Sequence, residues 1–231
     1  MLNITLNEVF REHRLDPVVM CIVGPNGSGK SSAAAKLGIS DPGDGYGSDH
    51  ISVDAETGAI SLRFVNPDDF SLQIRELRPD LTQEQADSIA ARLAEAKRLK
   101  LASACSDFGF ETVGSHESKP RFLRELKESG YFVAILFVGT ESPDINRARV
   151  AKRVAAGGHD VDPGKIASRY ERTMGLLREY ADVADFIAIY DNSLDESEGD
   201  PRLLAKTGAD GNLVTTEYCA NIGWIHRYLL D

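Results

Sequence analysis

The feature that most constrains this chain is a glycine-rich motif, Gly24 to Ser31, which reads Gly-Pro-Asn-Gly-Ser-Gly-Lys-Ser. It matches the pattern G-x-x-x-x-G-K-[ST] at every fixed position. The apolar run Val18–Val23 precedes it, after Pro17, and predicts a short buried strand of a parallel sheet. Residues 30–37 predict the start of a helix. A strand, this loop and a helix in succession form the P-loop unit of nucleoside triphosphate-binding folds.

The residue types in the motif suit the binding of a triphosphate. Backbone N–H groups must point at phosphate oxygens, and glycine permits the close approach and unusual dihedral angles that this needs. The N-terminus of the following helix adds partial positive charge. We predict that Lys30 reaches the β- and γ-phosphates of ATP and that the Ser31 hydroxyl binds Mg²⁺. The predicted nucleotide-binding residues are Gly24, Pro25, Asn26, Gly27, Ser28, Gly29, Lys30, Ser31 and Ser32. The alternative, a glycine-rich turn with a chance Lys-Ser pair, is disfavoured by the flanking strand and helix.

The rest of the chain alternates predicted strands with predicted helices. Thr82 marks one helix start, because Gln85 completes a capping box with it. Further strands are predicted at 108–113, 131–138 and 186–190, a hairpin at 51–64, helices at 3–14, 82–104, 120–129, 144–156, 163–180 and 215–230, and irregular segments at 40–48 and 192–211. This alternation is typical of an α/β fold with a doubly wound parallel sheet flanked by helices. The length suits one such domain, so we expect a single domain over residues 1–231.

This sequence lacks the signatures of three classes of triphosphate-binding protein. A motor or transport ATPase usually has an apolar strand ending in Asp-Glu, but Asp191 is followed by Asn192, and no Leu-Ser-Gly-Gly sequence occurs. The Asn-Lys-x-Asp sequence by which GTPases bind guanine is absent. Residues 107–109 read Asp-Phe-Gly as in protein kinases, but no His-Arg-Asp loop accompanies them, so we interpret this match as a coincidence.

Composition and charge narrow the expected partners and location. The net charge of −10 repels nucleic acid, so we expect a small-molecule substrate and no nucleic-acid partner. The 3 cysteines match no metal-binding pattern. No apolar run is long enough to span a bilayer, and Met1 to Asp16 lacks the features of a signal peptide. We therefore expect a cytoplasmic protein without membrane contact.

Carboxylates follow two of the predicted strands, where α/β sheets place their ligands. Asp68 and Asp69 follow the second strand of the hairpin, and Glu111 lies near the end of the next strand. Kinases of small hydroxyl substrates need a carboxylate that accepts the hydroxyl proton and aims the oxygen at the γ-phosphate. The alternative for Asp68 and Asp69 is a helix N-cap after Pro67.

A third feature is a helix with a basic face. At 100° per residue, Arg149, Lys152 and Arg153 fall within one arc about 100° wide, opposite a face of alanines and valine. The next predicted helix carries Arg169 and Arg172. Two such helices around the flexible break at 157–160 suit a lid that clamps phosphate, which we place at 144–175. The alternative is a solvated helix face, and His159 in the break is interpreted as structural or exposed.

Taken together, these residues resemble the zeta-toxin family, including chromosomal relatives described as predicted ABC-type ATPases. The resemblance runs from Val19 to about Gly211. It rests on Gly24–Ser31, Phe64–Phe70, Phe108–Ser115, Gly130–Val133, Arg149–Arg153, residues 157–161, Arg169–Arg172 and Asp191–Ser193. It implies a kinase-like P-loop fold with an arginine-bearing helical lid. It also implies an enzyme that uses ATP and Mg²⁺ to phosphorylate the sugar hydroxyl of UDP-N-acetylglucosamine, and it suggests an antitoxin partner.

The resemblance also implies roles for individual residues. Asp68 matches the catalytic base, and Glu111 matches the acidic residue of the substrate site, where we place Thr112 and Asp69 as well. Lys30 and Ser31 match the phosphate and magnesium residues. Arg153 and Arg169 match the lid arginines best, with Arg149 and Arg172 as alternatives.

Two departures from the family pattern bear on the substrate. Residues 40–64 add a loop and a hairpin, and the sequence after Glu111 reads Thr-Val-Gly-Ser-His where the toxins have Gly-Thr-x-Arg. The acceptor could therefore be another nucleotide, nucleotide-sugar or antibiotic. A further alternative, from a different class, is an ATPase switch or binding module that has no acceptor.

Overall fold

The computed structural model describes residues 16–41, 51–54, 56–57, 59–156, 161–195 and 198–231. The helix predicted at 3–14, most of the loop predicted at 40–48 and the break at 157–160 lie outside these residues. The strands are β1 (Val18–Val23), β2 (Ile39–Ser40), β3 (Ser52–Val53), β4 (Ile60–Ser61), β5 (Phe108–Thr112), β6 (Phe132–Gly139), β7 (Phe186–Asp191), β8 (Arg202–Thr207) and β9 (Leu213–Thr215). The helices are α1 (Lys30–Lys36), α2 (Pro67–Leu77), α3 (Gln83–Ser103), α4 (Ser118–Glu128), α5 (Pro143–Ala155), α6 (Pro163–Gly175), α7 (Leu177–Val183) and the short α8 (Gly223–Ile225).

Four parallel strands form the centre of the sheet, in the order β5-β1-β6-β7. Val23 at the end of β1 lies opposite Thr112 of β5 and Phe137 of β6, so the carboxyl ends of the strands share one edge. Every residue of β1 is buried, and alternate residues enter two separate apolar clusters, one on each face of the sheet. The predicted α/β class, with helices flanking a mostly parallel sheet, is confirmed.

Two antiparallel strands extend this sheet, and they correct the sequence prediction. β8 pairs with β7, and β9 pairs with β8, so the segment predicted to be irregular at 192–211 contains a strand. β8 escapes notice because only Leu204 and Ala205 in it are fully buried, and its polar ends hide the pattern. The final helix predicted at 215–230 is also wrong. Its residues form a 3₁₀ turn at Glu217–Asn221, α8, and a π turn at His226–Leu230.

The predicted hairpin is present, and it leads the chain to the edge of the central sheet. β3 and β4 are antiparallel, and β2 adds a parallel partner to β4. The chain then runs parallel to β5, with Phe64 opposite Gly109 and hydrogen bonds of 2.8 Å on both sides of that pair. A Cβ atom at Gly109 would lie 2.7 Å from the Phe64 ring. This pairing delivers residues 66–69 to the carboxyl edge of the sheet, beside Glu111.

Helix boundaries follow local signals. Thr82 and Gln85 form the predicted capping box at the start of α3, whose Ala86, Ala90 and Ala94 are buried. The helix predicted at 163–180 divides into α6 and α7 at Leu176, whose ψ of 1° ends the first helix. In the described part of the chain, no helix combines the length and the apolar character needed to cross a bilayer.

Candidate active site

Two P-loop glycines, Gly27 and Gly29, are packed against other parts of the chain. Gly27 and Gly29 have φ values of 78° and 82°, which residues other than glycine rarely adopt. A Cβ atom would lie 2.5 Å from the Asn146 carbonyl oxygen at Gly27 and 2.3 Å from Asn192 Nδ2 at Gly29. The glycines are therefore required by both backbone conformation and contact, and any larger residue would move the loop.

Two asparagines that the sequence analysis did not single out as site residues hold the loop from outside. Asn146 of α5 is fully buried and donates from Nδ2 to the Asn26 carbonyl oxygen at 2.7 Å. Asn192, just after β7, donates from Nδ2 to the Ser28 carbonyl oxygen at 2.8 Å. Asn192 belongs to a segment that carries the family resemblance, whereas nothing in the sequence distinguishes Asn146 from a surface asparagine.

Polar groups of the loop converge where phosphates would lie. Lys30 Nζ donates to the carbonyl oxygens of Gly24 at 2.9 Å and Pro25 at 3.3 Å. Burial lowers the pKa of Lys30, while the nearby Glu111 carboxylate opposes this and Arg153 adds to it. The Ser28 hydroxyl is buried and has no hydrogen-bond partner within the described residues. A phosphate chain in this cradle would supply acceptors to these donors and the N–H groups of the loop.

Ser31 and Glu111 are in direct contact. The Ser31 hydroxyl donates to Glu111 Oε2 at 3.1 Å, which joins the predicted magnesium residue to the predicted substrate residue. Burial raises the pKa of Glu111, and Asp68 and Asp69 raise it further, against the opposing effects of Lys30 and the Ser31 hydrogen bond. Two half-buried groups of opposite sign, Lys30 and Glu111, thus lie at the mouth of the P-loop.

Asp68 and Asp69 occupy the first turn of α2, but neither is its N-cap. Asn66 has that role, since its Oδ1 accepts from the backbone N–H of Asp68 at 3.0 Å. Asp68 lines the same cleft as Lys30 and Glu111. Asp69 instead lines a smaller cavity of about 170 Å³ behind Ser31 and Glu111. The structure therefore separates the two aspartates that the sequence places together.

The four candidate arginines have different surroundings. Arg153 of α5 and Arg169 of α6 line the cleft, and Arg169 Nη1 lies 3.5 Å from Asn26 Oδ1. Arg149 also lines it, but its guanidinium donates to the carbonyl oxygens of Asn192 at 2.7 Å and Leu194 at 2.5 Å. Arg172 donates to a carbonyl of its own helix, that of Ser168. Arg153 and Arg169 are thus the pair that faces the P-loop.

The cleft has a volume of about 1220 Å³ and follows the carboxyl edge of the sheet. The P-loop and the two arginines line it over β1, β6 and β7. Asp68, Glu111 and Thr112 line it towards β5, and beyond them come Lys119 of α4 and Asp87 of α3. Lys119 and Asp87 were not among the site residues predicted from the sequence. Lys119 could have been predicted, because it follows shortly after the end of β5, and residues after the parallel strands lie near the ligand-binding edge of the sheet.

Asp191 and Asp107, which stand in sequences similar to ATPase and protein-kinase motifs, do not line the cleft. The Asp191 carboxylate accepts from Trp224 Nε1 at 2.9 Å and from the Ser193 hydroxyl at 2.5 Å, so it holds the C-terminal segment against β7. Asp107 precedes β5 at the opposite edge of the sheet. It accepts from the backbone N–H groups of Val18 at 2.7 Å and Ile51 at 2.8 Å. The Asp-Phe-Gly match therefore has no part in the cleft.

Comparisons with known proteins identify the fold. No family model matches the chain. An uncharacterized protein of Haemophilus influenzae is 26% identical over 147 residues, which are 64% of this chain and 88% of that protein.

Solved structures match over more of the chain. The AvrRxo1-ORF1:AvrRxo1-ORF2 complex, also solved with ATP, contains a chain that matches with a TM-score of 0.64 and 16% identity, over 96% of this chain and 68% of that one. A structure of the PezAT chromosomal toxin–antitoxin system of Streptococcus pneumoniae matches with a TM-score of 0.56 and 15% identity, over 99% and 87%. At these identities the likeness shows the fold alone.

Proposed function

We propose that this chain, whose fold is that of zeta-toxin-like P-loop kinases, transfers the γ-phosphoryl group of ATP to a hydroxyl of a small metabolite. One observation carries the proposal: Asp68 and Glu111 line the same cleft as the P-loop lysine. A protein that only hydrolyses ATP can use one carboxylate to activate water, but it needs no second carboxylate to orient an acceptor. A kinase needs one group to deprotonate the acceptor hydroxyl and others to position it.

The residues present fit ATP and Mg²⁺. The positive φ values of Gly27 and Gly29, the unpartnered Ser28 hydroxyl and Lys30 form the cradle for the phosphates. The Ser31 hydroxyl, which faces Glu111, would hold Mg²⁺. When bound, the metal would supply positive charge to the β- and γ-phosphate oxygens. The structure with ATP among the AvrRxo1 neighbours supports the choice of nucleotide.

The side chains then divide the chemistry between them. Asp68 accepts the proton of the acceptor hydroxyl. The hydroxyl oxygen then bonds to the γ-phosphorus, while the bond between the γ-phosphorus and the oxygen that leaves with ADP breaks. Lys30, Arg153 and Arg169 stabilise the negative charge on the transferred group and on ADP. Glu111 accepts a hydrogen bond from the acceptor and fixes its orientation. Burial lowers the pKa of Lys30, and the negative charge of the phosphates would oppose this and favour the cationic form of the lysine.

The size of the cleft supports a second substrate beside ATP. Pockets for one small ligand usually have volumes of about 300–1,000 Å³, and this cleft has about 1220 Å³. UDP-N-acetylglucosamine is the leading candidate, because the chain resembles zeta toxins in sequence and fold. Other nucleotides, nucleotide-sugars and antibiotics are the alternatives.

The test of transfer against simple hydrolysis is ATP consumption with and without a desalted metabolite extract. We expect the extract to stimulate ADP formation, and Asp68→Asn to remove that stimulation. Asp182→Asn, on an exposed position of α7, is the matched control and should behave as wild type. ADP formation that no extract stimulates and that Asp68→Asn leaves unchanged would establish the ATPase alternative instead.

We also propose that a protein partner restrains the enzyme. Both neighbouring structures are named as two-component assemblies, one of them a toxin–antitoxin system. Expression of the chain alone in growing bacteria should slow growth, and Asp68→Asn should restore it. Normal growth with wild-type protein at the same level would contradict a toxic activity.

A further inference from the structure

Two cationic side chains lie near the β5 end of the cleft, Lys119 in its lining and Arg98 buried over Phe110 of β5. Arg98 of α3 is only 7% exposed, and its guanidinium carbon lies 5.2 Å from the centroid of the Phe110 ring. Lys119, in the first turn of α4, is half-buried and lines the cleft. Burial lowers the pKa of Lys119, and the charge of Arg98 lowers it further. The fold therefore holds two positive charges that act on each other and are partly out of water.

The chain supplies little negative charge to this pair. Among the described residues, neither cationic group has a hydrogen bond or an ion pair, and the carboxylate that acts on both is Glu95, which is exposed. The start of α4 already has partners, since His116 Nδ1 accepts from the Ser118 backbone N–H at 3.1 Å, so an anion site here depends on the side chains and not on the helix N-terminus. Buried charges are costly unless they are paired. An anion would offset the cost of holding both positive charges there.

The position of the pair relates it to the acceptor and not to ATP. The residues that face the triphosphate come from the segments after β1, β6 and β7. Lys119 follows β5, on the other side of β1, and shares the cleft with Glu111 and Thr112 at the end of β5. An anion on Lys119 would thus belong to the molecule that Asp68 and Glu111 hold.

We propose that Lys119, with Arg98 behind it, binds an acidic group of the acceptor, a phosphate or a carboxylate, apart from the hydroxyl that is phosphorylated. The inference rests on the proposed function and narrows it. The acceptor is an anionic, hydroxylated metabolite such as a nucleotide or nucleotide-sugar, and a cationic antibiotic does not fit.

Competition labelling of lysines tests this on the whole protein. The P-loop is first saturated with Mg²⁺ and a non-hydrolysable ATP analogue. Lysines are then acetylated in sodium phosphate, sodium acetate or sodium chloride at equal ionic strength, and labelling of each residue is read by peptide mass spectrometry. Labelling of Lys119 should fall about tenfold, relative to chloride, when phosphate or acetate is present at ten times its Kd. The exposed Lys100 of α3 should label equally in all three salts.

Variants separate binding from a structural role. With the P-loop saturated, phosphate should raise the Tm of the wild type and of Lys119→Arg, but not that of Lys119→Gln. The matched charge variant Lys100→Gln should respond as wild type. A phosphate-dependent rise in Tm that survives in Lys119→Gln would overturn the assignment, as would equal labelling of Lys119 in the three salts.

The outcomes distinguish this inference from the proposed function. Protection of Lys30 by the ATP analogue reports the nucleotide site independently. If the ATP analogue protects Lys30 from acetylation and neither anion changes the acetylation of Lys119, the anion subsite is wrong and nucleotide binding stands. If Lys119 is protected but no extract stimulates ADP formation, the anion subsite stands and the kinase proposal fails. Protection by phosphate alone, or by acetate alone, identifies which acid the acceptor carries.

Discussion

At the scale of single residues, the site depends on charges held out of water next to one another. Lys30 and Glu111 each favour their neutral forms more than they would in water, since burial lowers the pKa of one and raises that of the other. A phosphate chain and a metal ion would change that balance for both. The site is thus arranged for ligands that bring their own charge.

The raised pKa of Glu111 gives a prediction about stability and pH. The native state binds the Glu111 proton more tightly than the unfolded chain does, so this proton stabilises the fold at low pH. Its contribution is complete below the ordinary value of 4.5 and is lost as pH rises through the native pKa above it. Glu111→Gln should therefore gain stability relative to wild type as pH rises from 4.5, measured by thermal unfolding without nucleotide. A constant difference across pH would contradict this. Glu125→Gln, exposed on α4, is the control.

Arg153 gives a second prediction at this scale. It faces the P-loop and should act on the charge that develops during transfer. Arginines in related phosphoryl transfers contribute roughly 10³–10⁵ in rate, so Arg153→Ala should lose turnover on that order while ATP affinity stays nearly unchanged. Steady-state kinetics and nucleotide titration measure the two effects. Arg172→Ala, whose side chain is bonded within its own helix, should keep wild-type turnover. Equal losses in both variants would remove the lid assignment.

At the same scale, the sequence identified the polar residues that line the cleft better than the residues that hold the P-loop in place. Lys30 and Ser31 follow the fixed pattern of the P-loop, whereas Asp68 and Glu111 were predicted from their positions at predicted strands and from the family resemblance. Asn146 holds the loop through one hydrogen bond that depends on how α5 packs, so no local pattern reveals it. Whether the predicted residues have their predicted roles stays a prediction until the variants are made.

At the scale of elements, prediction succeeded where local signals set the boundaries. β1, β6 and β7 are continuous apolar runs, and α3 begins at its capping box. β8 was not predicted, because a strand near the edge of a sheet needs few buried residues. The short helical segments at the C-terminus were not predicted, because tertiary contacts fix them. One such contact is the hydrogen bond from Trp224 to Asp191. The hairpin was predicted, but not that it would guide residues 63–65 alongside β5 and so position Asp68.

The capping box of α3 can be tested directly. The Thr82 hydroxyl accepts from the Gln85 N–H at 3.3 Å, and the Gln85 side chain accepts from the Thr82 N–H at 2.9 Å. Thr82→Ala should reduce the free energy of unfolding by about 1 kcal/mol. Thr82→Ser, which keeps the hydroxyl, should lose much less. Denaturant titration measures both, and equal losses would show that the cap is not the source of stability.

At the scale of the whole molecule, the net charge of −10 is distributed around a cleft lined by cations. The cleft can hold anionic metabolites while the overall field repels polyanions. We therefore predict no binding of oligonucleotides at physiological salt, measured by fluorescence anisotropy. Binding that falls steeply with salt concentration would contradict this and would point to a nucleic-acid substrate. A single domain over residues 1–231 likewise remains a prediction, which limited proteolysis can test.

The central claim is that an acceptor molecule receives the phosphoryl group. It is tested most directly by mass spectrometry of a metabolite extract incubated with the enzyme, ATP and Mg²⁺. The account predicts one acidic metabolite that gains the mass of a single phosphate with wild-type protein and not with Asp68→Asn. ATP turned over to ADP and free phosphate, with no metabolite gaining that mass, would contradict it.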